Sequence, residues 1–121
     1  MTATAEQGQA LARSEPAPPI RIVHLGLGAF SRSHTAWYTA NAADSSEWGI
    51  SAYTGRSREL ADSLKQQDGL FTLVERRADG DTASIVTSIV HARPGGDLEN
   101  LITDIARPAT AIVTLTITEQ G

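Results

Sequence analysis

Two glycines after an apolar segment are the first residues of this sequence whose type and spacing could support chemistry. Gly26 and Gly28 follow the short apolar run from Ile20 to Leu25, and helical spacing of apolar residues begins soon after them. In such a turn the first glycine permits a tight bend, and the second lets a pyrophosphate approach the backbone. The helix that follows adds free amide groups and the positive end of its dipole. The pattern predicts a dinucleotide-binding turn, although an ordinary strand-to-helix turn with two glycines also fits the bare motif.

The sequence departs from the dinucleotide-binding fingerprint at two places. The third glycine would fall at Ser31, a small residue that strains close packing of helix on strand without forbidding it. The fingerprint also has an acidic residue about 20 positions further on, at the end of the second strand. The segment 53–57 contains no acid, and Arg56 with Ser57 could instead hold a 2′-phosphate. The predicted cofactor is therefore NAD, with NADP as the alternative; Arg56 stacked on the adenine or facing solvent also fits.

The predicted cofactor contacts lie in this turn, at the start of the helix and at the ends of two later strands. They are Gly26, Leu27, Gly28, Ala29, Phe30, Arg32, Arg56 and Thr118. No catalytic residue is predicted in this chain, and its histidines do not have the spacing of a metal site. We expect His24 to be packed or hydrogen-bonded in the first strand and His91 to lie at the surface. His34, in the first helical turn, is the histidine with a candidate role near the phosphates.

The elements that must position this turn are strands and helices in alternation. Apolar or β-branched runs predict strands over 20–25, 49–54, 70–76, 83–92 and 111–118. Helices are predicted over 32–43, after the capping residue Ser57, and over 98–105. The last helix carries an apolar stripe formed by Leu98, Leu101, Ile102 and Ile105. With a hairpin turn predicted at Asp79-Gly80-Asp81, this order predicts an α/β fold: a parallel sheet with helices on both faces and one β-hairpin.

Length and composition fit one small domain. The chain has 121 residues, a formal net charge of -4 and no cysteine for disulfides or thiolate chemistry. This acidity argues against a nucleic-acid-binding surface, and no apolar run approaches the roughly 20 residues of a membrane-spanning helix. We expect residues 1–19, rich in Ala, Glu, Gln and Pro and without the apolar core of a signal peptide, to be a disordered leader. Residues 20–121 would form the domain, and the expected location is cytoplasmic.

Three segments together resemble the mannitol dehydrogenase family of polyol dehydrogenases and hexuronate reductases. The first runs from Gly26 to Tyr38 and is similar to the family's opening motif, Gly-x-Gly-x-Phe-His-Arg-Ala-His. The second is Gln67-Asp68-Gly69-Leu70-Phe71-Thr72-Leu73, and the third runs from Val113 to Gly121. All three fall in the order of the family. Departures from its usual residues, which leave the sub-family open, occur at Ser31, Thr35 and Gln120.

The resemblance implies a Rossmann-type first domain, a mostly helical second domain, and hydride transfer between a nicotinamide ring and a sugar alcohol or keto-sugar acid. It also implies a catalytic lysine, assisted by Asn and His, far downstream of this chain; Lys65, the single lysine here, is not assigned that role. We therefore expect an incomplete dinucleotide-binding domain without polyol oxidation of its own. In the usual strand order the strand 111–118 would lie beside the first strand, and it would leave an uncovered edge through which copies self-associate. A non-enzymatic dinucleotide-binding module and an inert fragment remain alternative functions.

Overall fold

Segments rich in apolar and β-branched side chains form the strands of two sheets. The computed structural model describes residues 2–4, 11–55 and 57–117. Its strands are β1 (Thr2–Thr4), β2 (Ile20–Leu27), β3 (Gly49–Thr54), β4 (Phe71–Glu75), β5 (Thr82–Val86), β6 (Ile89–Pro94) and β7 (Ile112–Leu115). A parallel sheet has the order β6–β3–β2–β7, and an antiparallel sheet has the order β1–β4–β5. The predicted position of the last strand beside the first is confirmed, because β7 pairs with β2 in parallel.

Helices cover both faces of the parallel sheet. They are α1 (Ala29–Ser31), α2 (Trp37–Ala40), α3 (Arg58–Gln66) and α4 (Leu98–Ala106). Alternate residues of a strand point to opposite faces. On β3, Ile50 and Ala52 belong to the apolar core with Leu64 of α3, whereas Tyr53 donates a hydrogen bond to Asp104 of α4. The two helices therefore lie on opposite faces, as predicted. Within the described ranges, no helix is both long enough and apolar enough to cross a membrane.

The first helical segment, predicted over 32–43, consists of α1, a π-helical turn and α2. The π-helical turn spans Arg32–Ala36. The carbonyl oxygen of Phe30 accepts hydrogen bonds from Ser33 Oγ at 3.1 Å and from His34 Nδ1 at 2.9 Å. Side chains that bond a nearby carbonyl compete with the regular helical ladder. This local competition accounts for the wider turn directly after the glycines.

The predicted hairpin forms, but the strand after it is divided between the two sheets. β4 and β5 pair antiparallel across the predicted turn around Gly80. The chain then leaves this sheet, and β6 begins at Ile89 and pairs in parallel with β3. The prediction of one strand over 83–92 is therefore wrong at residues 87–88. β-branched residues suit either sheet, so composition could not reveal this break.

The ends of α3 fix its position against the sheet. Ser57 caps the helix as predicted, because its Oγ accepts a hydrogen bond from Leu60 N at 3.1 Å. At the other end, Gly69 has a φ of +80° and its amide donates to the carbonyl oxygen of Leu64 at 2.8 Å. A side chain at Gly69 would collide with the backbone carbonyl of Ile89 in β6. The segment around Gly69 therefore holds the end of α3 close to the edge strand β6.

The apolar stripe of α4 faces away from the sheet. Such a stripe normally packs on a core, but Leu98, Ile102 and Ile105 are 60%, 66% and 44% exposed. The side chain of α4 that is buried is Asp104, at 2% exposure. The sheet presents hydroxyl groups from β3 at this position, and they bond the carboxylate. Because a buried carboxylate must be hydrogen-bonded, the helix turns Asp104 inward and its apolar stripe outward.

Part of the predicted leader contacts the rest of the chain. The Arg13 guanidinium donates to the carbonyl oxygens of Thr87 and Ile89 at 3.1 and 2.6 Å. The backbone amide of Arg13 donates to Asp68 Oδ2 at 3.1 Å. Nearer the amino end, β1 pairs with β4. A disordered leader predicts none of these contacts, which depend on residues distant in sequence; the division of the chain at residue 20 stays a prediction.

Candidate functional site

The two glycines at the carboxyl end of β2 have different structural requirements. Gly26 has a φ of +92°, and a Cβ there would lie 2.6 Å from the carbonyl oxygen of Thr116. Gly28 has a φ of -158°, which any residue adopts, and an added Cβ would meet only the carbonyl oxygen of Gly26, at 4.0 Å. The fold therefore requires glycine at position 26 but not at position 28. The open space beside the backbone of Gly28 is what an approaching pyrophosphate needs.

Ser31, at the position of the third fingerprint glycine, stabilises the turn. Its side chain is buried, and its Oγ accepts a hydrogen bond from Gly28 N at 3.1 Å and donates to Gly28 O at 3.3 Å. The hydroxyl thus finds a donor and an acceptor at Gly28, within the turn. The amides of the first helical turn, at Ala29 and Phe30, have no helical partner, which leaves them available to a ligand.

Arg32 places a positive charge at the same turn. Its Nε donates to the carbonyl oxygen of Gly28 at 3.2 Å. Burial lowers the pKa of the Arg32 guanidinium, but an arginine side chain remains protonated in proteins. The guanidinium is therefore a fixed cation beside the Gly28 backbone, and its other N–H groups are suited to a phosphate.

An aromatic surface begins at the helix start. The ring of Phe30 stacks on the ring of His34, with centroids 4.1 Å apart and planes 14° apart. Phe30 remains 62% exposed, and Tyr38, one turn beyond His34, is 65% exposed. His34 is oriented through Nδ1, which donates to the Phe30 carbonyl. The structure thus brings His34 to the predicted phosphate-binding turn and presents an apolar ring at its entrance.

Leu27, another predicted contact, lies at the carboxyl edge of the parallel sheet. Leu27 is buried and pairs with Thr54, so β2 and β3 end side by side. Residues that follow both strands therefore lie at one edge, where open parallel sheets bind ligands. Arg56, two residues after Thr54, and Thr118, beyond β7, lie outside the described residues. Their predicted roles stay predictions.

A groove of about 1020 Å³ runs along the edge strand β6, from Asp68 and Gly69 at one end to the segment after β6 at the other. Its lining includes Gly55, Arg58, Gly95 and Gly96. The dinucleotide fingerprint places its ribose-binding acid at this end of the second strand. The end of the groove beside Gly55 therefore supplies space where the adenosine part of a cofactor would extend, with Arg58 as a cation in the first turn of α3.

A buried carboxylate lies under β3, on the face opposite α3. Asp104 Oδ2 accepts hydrogen bonds from Ser51 Oγ at 2.5 Å and Tyr53 OH at 2.6 Å, and Arg93 Nη1 lies 3.3 Å away. Burial by itself raises the pKa of Asp104, but the Ser51 and Tyr53 hydrogen bonds and the charges of Arg93 and Arg107 outweigh it, so this pKa is lowered. Burial and the Asp104 carboxylate raise the pKa of Tyr53. The cluster fixes α4 to the sheet, and no sequence pattern pointed to it.

Fold and site together define a class of protein. A parallel sheet with an open glycine turn at the end of an inner strand, followed by a helix and an arginine, is a Rossmann-type dinucleotide-binding domain. The chain belongs to the mannitol dehydrogenase family: the model of its Rossmann domain matches residues 20–121. This membership implies a nicotinamide dinucleotide cofactor, and the open turn at Gly28 fits one.

The chain is also similar to individual oxidoreductases in sequence and to one dehydrogenase in structure. The chain is 44% identical over 108 residues to D-mannonate oxidoreductase of Escherichia coli (strain K12), covering 84% of this chain and 22% of that protein. It is 37% identical over 116 residues to mannitol 2-dehydrogenase of Aspergillus niger, covering 90% of this chain and 24% of that protein. A crystal structure of D-sorbitol dehydrogenase in substrate-free form superposes with a TM-score of 0.75 and 29% identity, covering 93% of this chain and 25% of that one. The chain thus spans about a quarter or less of the length of these relatives.

Proposed function

We propose that this chain is the NAD(P)-binding portion of an oxidoreductase that transfers hydride between a nicotinamide cofactor and a sugar alcohol or keto-sugar acid. The family and the names of the relatives support the substrate class. The observation that supports the proposal is the open space beside Gly28. The fold leaves room for a side chain there, so a ligand that approaches the backbone best explains the glycine.

The residues of the turn would divide the work of holding the cofactor. Gly26 and Leu27 set the path of the backbone, and Gly28 leaves the space for the pyrophosphate. The amides of Ala29 and Phe30 and the Arg32 guanidinium would bind the phosphate oxygens. Arg56 and Thr118 would contact the cofactor from the ends of the neighbouring strands. When bound, the nicotinamide ring accepts or donates the hydride.

Calorimetric titration with NAD, NADH, NADP and NADPH tests this proposal. We expect wild-type protein to bind a dinucleotide and Gly28→Ala to lose most of that affinity, because its methyl group occupies the pyrophosphate space. Gly28→Ala should melt at the wild-type temperature, since its added Cβ has no contact under 4.0 Å. Ser84→Ala is the control, because Ser84 is exposed on β5, in the antiparallel sheet away from the turn and the groove. Equal affinity of wild type and Gly28→Ala would show that the turn does not seat the pyrophosphate.

The choice between the two cofactors follows from the same titrations. We propose NAD, with NADP as the alternative that Arg56 would favour through a 2′-phosphate. If NADP binds more tightly, Arg56→Ala should remove the preference, and Arg77→Ala, an exposed arginine paired with Glu75, should leave it unchanged. Comparable binding of NAD and NADP by wild-type protein would contradict the assignment of NAD.

A further inference from the structure

A buried histidine joins β2 to β7 just before the glycine turn. His24 is 2% exposed and lies two residues before Gly26. Both of its ring nitrogens have hydroxyl partners on the last strand and the residue beyond it: Nδ1 lies 2.7 Å from Thr114 Oγ1, and Nε2 lies 3.1 Å from Thr116 Oγ1. A neutral imidazole has one donor and one acceptor nitrogen, and a threonine hydroxyl can serve either. The ring is therefore fully satisfied without charge.

The segment that His24 holds forms one wall of the turn. Thr116 N donates to the carbonyl oxygen of Leu25 at 2.9 Å. The backbone of Thr116 is also the closest neighbour that a side chain at Gly26 would meet. Movement of Thr116 would therefore change the space in which Gly26 turns the chain. His24 is the side chain that fixes Thr116 from within the sheet.

We propose that His24 is a positioning residue: its neutral imidazole holds the carboxyl end of β7 against the glycine turn and so keeps the turn in the shape that a dinucleotide requires. The proposal rests on the proposed function, because it assigns His24 to the geometry of that site. The role is also distinct from that of Arg32 or Ser31, because His24 is buried in the sheet and does not face the open side of the turn.

The surroundings of His24 make this contact sensitive to acid. The strand neighbours of His24 are Ala52 on β3 and Thr114 on β7, and neither bears a charge. Burial lowers the pKa of His24, and a hydrogen bond with the backbone of Gly26 opposes this shift. No charged group of the described residues contributes to the shift. Stability from the neutral ring is therefore present above the ordinary histidine pKa of 6.5 and is lost as the pH falls through the lowered value. Protonation would bury a charge without a counter-ion.

The test compares wild type, His24→Gln and His24→Leu in NAD titrations and thermal melts at several pH values. At about pH 8, where histidine is neutral, we expect His24→Gln to bind NAD nearly as wild type. We expect His24→Leu to bind about fivefold or more weakly, the worth of at least one net hydrogen bond. As the pH falls below about 6.5, wild type should lose affinity and melting temperature while His24→Gln does not. NAD is the probe because it lacks the titrating 2′-phosphate of NADP.

One control variant and one spectroscopic readout separate this idea from its rivals. His91→Gln should lose NAD affinity and melting temperature in acid just as wild type does. The comparison is informative because the pKa of His91 is also lowered, first by burial and then by the charge of Arg93. Nitrogen-15 NMR should show the amide signals of Gly26 and Gly28 moving together with the His24 ring signals as the pH falls. The proposal is overturned if wild type and His24→Gln share one pH profile, or if the glycine amides do not follow the ring. If wild type binds no dinucleotide at any pH, the proposed function fails, and the melts and NMR signals still decide the role of His24.

Discussion

Replacing Gly26 by alanine tests the contact between the glycine turn and the last strand. The new Cβ would lie 2.6 Å from the carbonyl oxygen of Thr116, where ordinary contact begins at 3.4 Å. Either the turn or the segment after β7 must therefore shift by about 0.8 Å, the difference between these two distances. The backbone of residue 26 must also keep a φ of +92°, which a residue with a Cβ rarely adopts.

The expected cost can be built from these contacts. The unfavourable φ costs about 1–2 kcal/mol. The shift would break the Thr116 N–H bond to Leu25 and the Thr116 bond to His24, each worth about 1 kcal/mol net. The smaller entropy of unfolded alanine returns about 0.4–1 kcal/mol. The net loss of unfolding free energy is therefore about 3 kcal/mol, a large part of the roughly 5–15 kcal/mol of a typical domain.

Urea and thermal unfolding, followed by circular dichroism, measure this loss. A loss of about 3 kcal/mol lowers the melting temperature of a domain of this size by roughly 10–15 °C. Gly28→Ala provides the internal comparison, because its Cβ meets open space and its stability should stay within about 0.5 kcal/mol of wild type. If Gly26→Ala loses less than about 1 kcal/mol, the turn does not press against Thr116 as described.

Three further predictions concern the rest of the chain. Asp104→Asn should cost about 2–3 kcal/mol at neutral pH, because hydrogen bonds to a buried charge are lost; the exposed Asp62→Asn should cost almost nothing. Because folding lowers the pKa of Asp104, its contribution to the free energy of unfolding is present above the unfolded-state pKa and is lost as the pH falls. The unfolding free energies of wild type and Asp104→Asn should therefore converge in acid. A difference that does not depend on pH would argue against a role for the Asp104 charge. Copies should self-associate through the edge of β7. Leu115→Lys places a charge at a side chain that is 62% exposed on this edge, and it should shift the mass measured by light scattering towards monomer. A monomeric wild type would refute this prediction. The chain alone should not oxidise mannitol or reduce fructuronate with NAD(H), because the resemblance implies a catalytic lysine and the single lysine here, Lys65, lies exposed on α3. Measurable turnover would contradict the assignment of this chain as a cofactor-binding portion without catalysis of its own.

The local parts of this structure could be predicted from the sequence. An apolar run before Gly26 indicated the first strand, Ser57 indicated a helix start, and Asp79-Gly80-Asp81 indicated the hairpin turn. Each of these depends on the conformational preferences of a few adjacent residues. The alternation of strands and helices then restricted the arrangement to a parallel sheet with helices on both faces, because few connections of such elements pack.

Contacts between distant segments were decided only by the tertiary structure. The sequence pattern of α4 indicated one apolar stripe, a feature that normally packs on a core, but the hydroxyls of β3 made Asp104 the buried residue. In the sequence, Ser31 is a departure from the fingerprint, whereas in the structure its hydroxyl accepts a hydrogen bond from the backbone of Gly28. His24 could be placed in a strand, yet its partners on the last strand are about 90 residues away in the chain. Periodicity reports which residues share a face, whereas the identity of the opposing surface depends on how the whole chain packs.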